Sequence, residues 1–242
     1  MRLHVEWGLH ALDDLAPVAV VVDCLSFSTA VSVACESGGR VFPFYDRQLA
    51  VKFSTVLGLD CAGLRKDGGR NLSPESLDGY SGPGIVLPSP NGSRISLNAR
   101  RGEVYCGALR NASAVAKKVE ALGQDTILVA AGERWPDGSL RPCFEDWIAC
   151  GAIASKIEAR RTPEVLACIA AFEAVRQNLR GALSECLSGQ ELTEHGFRVD
   201  VDWASEIDVS SRVAKLHRLE MSYADCDIGF SEDDGKVLYY QA

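Results

Sequence analysis

The chain has 242 residues, 47% of them hydrophobic and 24% charged, with a formal net charge of −8. This is ordinary globular composition, and the acidic balance lacks the basic stripe of a nucleic-acid binder. The longest apolar run, Ala16 to Val22, is far short of the roughly 20 residues of a membrane span, and Arg2, His4, Glu6, Asp13 and Asp14 break any signal-peptide core, so a cytoplasmic chain without a membrane partner is expected.

Leu3, Val5 and Trp7 alternate with polar residues and predict a half-buried first strand. Val18 to Val22 is a continuous run of the kind buried on both faces of a parallel sheet. Ser26 or Ser28 can cap a helix through Ala30, Val31, Val33 and Ala34, which Gly38 and Gly39 stop. Val41 to Phe44 reads as a strand, and Asp46 caps a helix through Val51 to Leu57. Ile85 to Leu87 and Val104 to Cys106 are short strands, Asn111 caps a helix over Ala112 to Leu122, and Thr126 to Ala131 is another buried strand. From Glu145 to about Gly189 the pattern is helical, with Pro163 opening a second helix after Arg160-Arg161. Strand-like pieces follow at Asp227 to Phe230 and Val237 to Tyr240. Such alternation implies a mostly parallel sheet with helices on both faces, in a single α/β domain over residues 1–242 with a helical C-terminal extension, helix-rich from about 144 to 189.

The nine cysteines contain no C-x-x-C pair, and the four histidines are dispersed, so neither a disulfide framework nor a zinc site is expected. Most cysteines read as small buried hydrophobes, and Cys150 stands out only because acids precede it.

In an open parallel sheet, ligands bind at the carboxyl ends of the strands. Asp23 closes the Val18 to Val22 run and precedes Ser26, Ser28 and Thr29 at a helix start. It reads either as a helix cap, or as a hard oxygen ligand for Mg²⁺ or a nucleophile beside an anion-binding helix terminus. The loop Leu87 to Arg94 follows a strand: Asn91-Gly92 exposes backbone N–H groups, and Ser93 and Arg94 add a hydroxyl and a bidentate cation suited to phosphate or sulfonate. A plain turn with a capped helix is the alternative there. Cys61 to Pro74 concentrates Arg65, Lys66, Arg70, Asn71 and Ser73, which makes a solvated loop or a seat for an anionic substrate. Glu145-Asp146 suit the macrodipole of a first helical turn, or complete a Mg²⁺ shell. The P-loop, the dinucleotide-binding glycine pattern and the G-x-S-x-G elbow are absent, and Leu25 stands where a D-x-D aspartyl-phosphate motif has its second acid.

Taken in order, these segments resemble the 2-phosphosulfolactate phosphatase family. Asp23-Cys24-Leu25-Ser26-Phe27-Ser28-Thr29 is similar to the family's D-V-L-R-A-[ST]-T, Gly63-Leu64-Arg65 to G-E-R, and Ser73-Pro74 to the end of G-N-S-P. Pro90 to Arg94 is similar to T-N-G-T-R, Asn111 to Ala116 to N-A-S-A-[VT]-A, and Glu145-Asp146 to E-D, with Gly196-Phe197, Asp200-Val201 and Asp208 fitting further on. The chain departs from the pattern at Ser26 in place of Arg, at Leu64 in place of Glu, and at Cys150, displaced by one from the family's cysteine.

The resemblance implies an α/β/α sandwich and Mg²⁺-dependent hydrolysis of a phosphomonoester that also bears a sulfonate, a step towards coenzyme M. It implies catalytic and metal-binding roles for Asp23, Glu145 and Asp146, and substrate-binding roles for Arg65, Ser73, Asn91, Ser93, Arg94 and Asn111. The partner is then a small phosphorylated, sulfonated metabolite, with assembly into a homo-oligomer left open. The alternative is a homologue that binds a phosphorylated metabolite without turnover, since Ser26 and Leu64 remove a cation and a carboxylate. No cysteine sits in the loop that a thiolate phosphatase needs, so a cysteine nucleophile is not expected.

Overall fold

A computed structural model describes residues 1–12, 16–99, 102–226, 228 and 235–242. In chain order the elements are β1 (Arg2–Trp7), β2 (Val18–Val22), α1 (Phe27–Glu36), β3 (Val41–Phe44), α2 (Arg47–Leu57), β4 (Asp60–Cys61), β5 (Ile85–Pro88), α3 (Gly92–Asn98) and β6 (Glu103–Cys106). Then come α4 (Ala112–Leu122), β7 (Thr126–Ala130), β8 (Glu133–Arg134), β9 (Leu140–Arg141), α5 (Phe144–Ala154), β10 (Arg160–Arg161) and α6 (Pro163–Val175). The helices α7 (Leu179–Glu185), α8 (Leu187–Glu194) and α9 (Arg198–Ala204) precede β11 (Lys215–Ser222) and β12 (Lys236–Gln241).

The sheet runs β10-β1-β7-β2-β6-β11-β12-β3-β5-β4, with β8 and β9 forming a separate hairpin. β10, β1, β7, β2 and β6 are mutually parallel, as are β3, β5 and β4. Between these groups the antiparallel pair β11–β12 is inserted, joined to β6 and to β3 by antiparallel bridges. β2 shows why the central strands read as unbroken apolar runs. Ala19 and Val21, with Ile127 and Val129 of β7, face one core, while Val18, Val20 and Val22, with Leu128 and Ala130, face the other. Burying each valine stabilises the fold by about 1.5–3 kcal/mol. Helices α1, α2 and α3 cover the first face through Ala30, Val31, Phe53 and Ile95, and α4, α5 and α6 cover the second through Val115, Ile148 and Val165. The result is a three-layer α/β/α arrangement. No helix among the described residues is long and apolar enough to cross a membrane.

Local chemistry sets several boundaries where the sequence placed them. Asp46 accepts the Leu49 N–H at 2.8 Å to cap α2, and Pro163 opens α6. Elsewhere the structure differs. Arg160-Arg161 is an edge strand, and the helical stretch from Glu145 is broken there. The antiparallel β11 was not expected; Val237 to Tyr240 falls inside β12, and Asp227 to Phe230 lies outside the described residues except for Ile228. Helix α3 packs on both β2 and β3, which brings the loop after β5 against the carboxyl end of β2.

Candidate active site

Asp23 follows the last residue of β2 and is 6% exposed. Its backbone is fixed by Ser28, whose Oγ accepts the Asp23 N–H at 2.8 Å and whose N–H donates to the Asp23 carbonyl at 2.7 Å. The carboxylate is turned to the next loop, where the Gly92 N–H at the start of α3 donates to Oδ2 at 2.7 Å and Ser89 Oγ lies 3.5 Å away. A Cβ at position 92 would sit 2.3 Å from a Phe27 ring carbon and 2.7 Å from that same oxygen, so glycine alone allows the approach. Burial pushes the Asp23 carboxyl up to about 7, with the Glu133 and Glu145 charges adding, against the lowering effect of the Gly92 and Phe27 N–H groups.

Glu145 and Asp146 open α5 and are both 3% exposed. Asp146 ties two strand ends together: Oδ1 accepts the Cys24 N–H at 2.7 Å, and Oδ2 accepts the Gly132 N–H at 2.8 Å. Burial raises its carboxyl well above the usual range, and the Glu145 and Asp23 charges raise it further. Glu145 Oε2 accepts from Cys186 Sγ at 3.3 Å. The three acids thus feel one another electrostatically, yet no group of three His, Cys, Asp or Glu side chains among the described residues is gathered as a ready-made metal cage.

Asp23, Arg65 and Asn91 line one cavity of about 480 Å³ together with Ser26, Glu133, His195 and Phe197. Glu145 lines a second cavity of about 490 Å³, which meets the first at Ser188. Arg65 lies over the Phe197 ring at 5.3 Å and is held by Asp200 of α9, whose Oδ2 accepts from Nε at 3.0 Å and from Nη2 at 2.7 Å. Nη2 also donates to Ser26 Oγ at 3.0 Å, and Ser73 Oγ donates to the other Asp200 oxygen. Ser73 therefore serves the partner of Arg65, and Ser26 spends its hydroxyl on this network instead of capping α1.

The remaining sequence candidates lie off this cavity. Ser93 is fully buried, and its Oγ donates to the Leu87 carbonyl at 3.1 Å. Arg94 lies over the Tyr45 ring at 5.2 Å and lines a neighbouring concavity. Asn111 accepts the Ala108 N–H at 2.9 Å and donates to the Arg212 carbonyl at 3.2 Å, so its side chain joins the main chain after β6 to the main chain before β11.

Four residues with a place at the site were not singled out as site residues from sequence. Glu133 lies just beyond the carboxyl end of β7, where the strand-end rule would have found it, and accepts from Asn91 Nδ2 at 2.7 Å. His195 sits at the end of α8 with Nδ1 2.6 Å from the Glu191 carbonyl. A carbonyl only accepts, so Nδ1 carries a proton and Nε2 is the ring nitrogen left for other contacts. Asp200 was visible only as a match to the family pattern, and Ser26 as a hydroxyl at the helix start after Asp23 and as a departure from that pattern. The thiols near the acids are held protonated: burial, then Asp146, pushes Cys24 well up, and burial, then Cys168 and Asp146, does the same to Cys150.

Buried acids at a strand end and a helix start, with an arginine and a histidine lining the same cavity as Asp23, fit a hydrolytic enzyme of the α/β class. The family model described as 2-phosphosulpholactate phosphatase matches residues 8–218, and the chain belongs to that family. A protein named "Probable 2-phosphosulfolactate phosphatase" from Caldanaerobacter subterraneus subsp. tengcongensis is 27% identical over 213 residues, 81% of this chain and 86% of the relative. One of the same name from Thermotoga maritima is 26% identical over 82% of this chain and 88% of its own length. Another from a Cyanothece species is 24% identical over 86% and 93%.

Proposed function

We propose that the chain hydrolyses a small anionic 2-phospho acid, such as 2-phospho-3-sulfolactate, with Mg²⁺ as its cofactor. The observation that carries this reading is Asp23, a cavity-lining carboxylate pushed up to about 7 by burial and neighbouring acids. Such a group lacks a cation. Hard carboxylate oxygens suit Mg²⁺, which commonly takes one or two carboxylates and completes its shell with water and substrate phosphate. Asp23 would hold the ion with help from Glu145 or Asp146, and the bound ion would neutralise phosphoryl charge and orient the attacking water.

The other roles follow from the geometry of the chain's own groups. Arg65, with Nε and Nη2 committed to Asp200 and Ser26, has Nη1 to offer a substrate oxygen, and the Gly92 N–H holds Asp23 in place. Asn91 and Glu133 brace the wall beside Asp23. His195, with its Nδ1 proton committed to the Glu191 carbonyl, has Nε2 to deliver a proton to the leaving oxygen when the ring is charged. Protonated Cys24 and Cys150 take no part as nucleophiles.

Binding without turnover has one observation on its side. Ser26, where the resembled motif has Arg, uses its hydroxyl to accept from Arg65, so the cavity has one cation fewer for substrate. A panel of phosphomonoesters assayed with Mg²⁺ and with EDTA separates the readings. Phosphate release that depends on Mg²⁺ and favours 2-phospho acids is expected. A metabolite that raises the melting temperature while no ester is hydrolysed with any divalent cation would overturn catalysis in favour of binding.

A further inference from the structure

Next to the Asp23 cavity lies a separate concavity of about 270 Å³ whose walls include Trp7, His10, Arg94, Arg134 and Leu140. We propose that it is a second ligand site, which binds a tetrahedral oxyanion through Arg94 and Arg134 independently of the Asp23 cavity. The anion is free phosphate or the phosphoryl or sulfonate group of a small metabolite.

Charge is the first support. The acids outnumber Lys and Arg by 33 to 25, and Arg65, Arg110, Arg141, Arg176 and Arg180 all have carboxylate partners. Arg94 and Arg134 have none among the described residues. Arg94 is steadied by the Tyr45 ring at 5.2 Å, a contact that orients the guanidinium without consuming its charge. Arg134 Nη1 donates to the Gly138 carbonyl at 2.9 Å, which likewise neutralises nothing. Two cations from different elements therefore share one concavity whose described lining residues include no carboxylate. Their planar forks are the donors suited to phosphate or sulfonate oxygens.

Strand geometry explains how opposite charges serve adjacent cavities. Successive residues of a strand point to opposite sides, so in β8 Glu133 lines the Asp23 cavity while Arg134 lines the neighbouring one. The size exceeds that of a bare oxyanion, since a water occupies about 30 Å³ of liquid. The indole of Trp7, stacked on Trp147 at 5.2 Å, gives a small organic body a rigid apolar wall.

Magnitude decides that this is a separate site. The crevice past Pro90 and Asn91 that lies between the two cavities has only about 10 Å³, near the minimum for a single water. A substrate could not thread it with one end in each cavity. The sites are nonetheless mechanically joined, because Asn91 donates to Glu133 at 2.7 Å, and Arg94 and Arg134 follow them on the same two segments.

Tryptophan fluorescence and calorimetric titrations with inorganic phosphate and with ethanesulfonate, at fixed ionic strength, test the proposal. The wild type and Asp23→Asn should show saturable binding, whereas Arg94→Gln and Arg134→Gln should bind at least about tenfold more weakly with unchanged melting temperatures, as expected for losing charge-assisted hydrogen bonds. Trp7→Phe should retain the calorimetric signal and lose most of the fluorescence change. Tighter phosphate binding assigns the site to the free anion, and tighter ethanesulfonate binding assigns it to a metabolite. Arginine variants that titrate like the wild type, a response lost in Asp23→Asn, or no saturable binding would overturn it. The readout needs no turnover, so failure of the phosphatase reading would leave this result standing, and the reverse holds as well.

Discussion

Asp23→Asn offers a direct test of the electrostatic strain at the site. In the folded chain the carboxyl rises from 3.8 to about 7, chiefly through burial. At about 1.4 kcal/mol per unit, the ionised side chain costs the fold about 4 kcal/mol. The folded value lies above the unfolded one, so the native state keeps its proton over a range where the unfolded chain has released it. The associated stability is fully present below 3.8 and is lost as pH rises through about 7. Asparagine cannot ionise, and its Oδ1 can still accept the Gly92 N–H. The variant should therefore be more stable than the wild type by several kcal/mol at about pH 8.5, with the gap shrinking towards about pH 4.5. Urea unfolding in EDTA at both pH values measures it. Mg²⁺ added at the higher pH should raise the wild-type midpoint and leave the midpoint of the Asp23→Asn variant nearly unmoved. A gap that changes by less than about 1 kcal/mol across this range would refute the assignment of strain to Asp23.

Three further outcomes follow from the same geometry. Asp200→Asn and Arg65→Gln should each raise KM more than they lower kcat, and their double-mutant cycle should show a coupling of about 1.5–3 kcal/mol; additive effects would mean that Asp200 does not act through Arg65. His195→Gln should lower kcat by about 10²–10⁴ for alkyl phosphates and far less for aryl phosphates, whose leaving oxygen needs no proton; an equal loss on both would exclude it as the proton donor. Cys24→Ser and Cys150→Ser should keep most activity while EDTA abolishes it; full activity in EDTA, lost on thiol alkylation, would reverse the mechanism.

The legible parts of this fold are those whose cause is local. The Val18 to Val22 run, the Asp46 cap and the Pro163 helix start each rest on a few neighbouring residues, and each was readable in sequence. β11 was not, because most of its side chains are only partly buried or exposed, and apolar periodicity carries little signal there. β10 pairs through two residues flanked by helices, so its basic side chains masked a main-chain role. At the site, Asp23 and Glu145-Asp146 stood out by position at strand and helix ends. Asp200 did not: within its helix it is an unremarkable acid, and its meaning comes from Arg65, 135 residues away in the chain. Asn111 is illegible for a related reason: its amide is spent on the Ala108 N–H and the Arg212 carbonyl, partners that a position at a helix start does not reveal.

Asp23 and Asp200 show why burial alone does not identify a reactive carboxylate. Asp200 is the more deeply buried, at 0% exposure, yet it accepts from the Arg65 fork, Ser73 and Ser26, so its charge is matched within the protein. Asp23 has uncharged donors from Gly92 and Ser89, and the charges that dominate its surroundings are Glu133 and Glu145. The first arrangement stabilises the position of an arginine. The second leaves a negative group in a low-dielectric wall with no cation of its own, a condition that a bound divalent ion would relieve and that no rearrangement of the neighbouring acids could. The same contrast distinguishes the arginines: Arg65 is fixed by a carboxylate and directed into the acidic cavity, whereas Arg94 and Arg134 keep their charges for a ligand from outside.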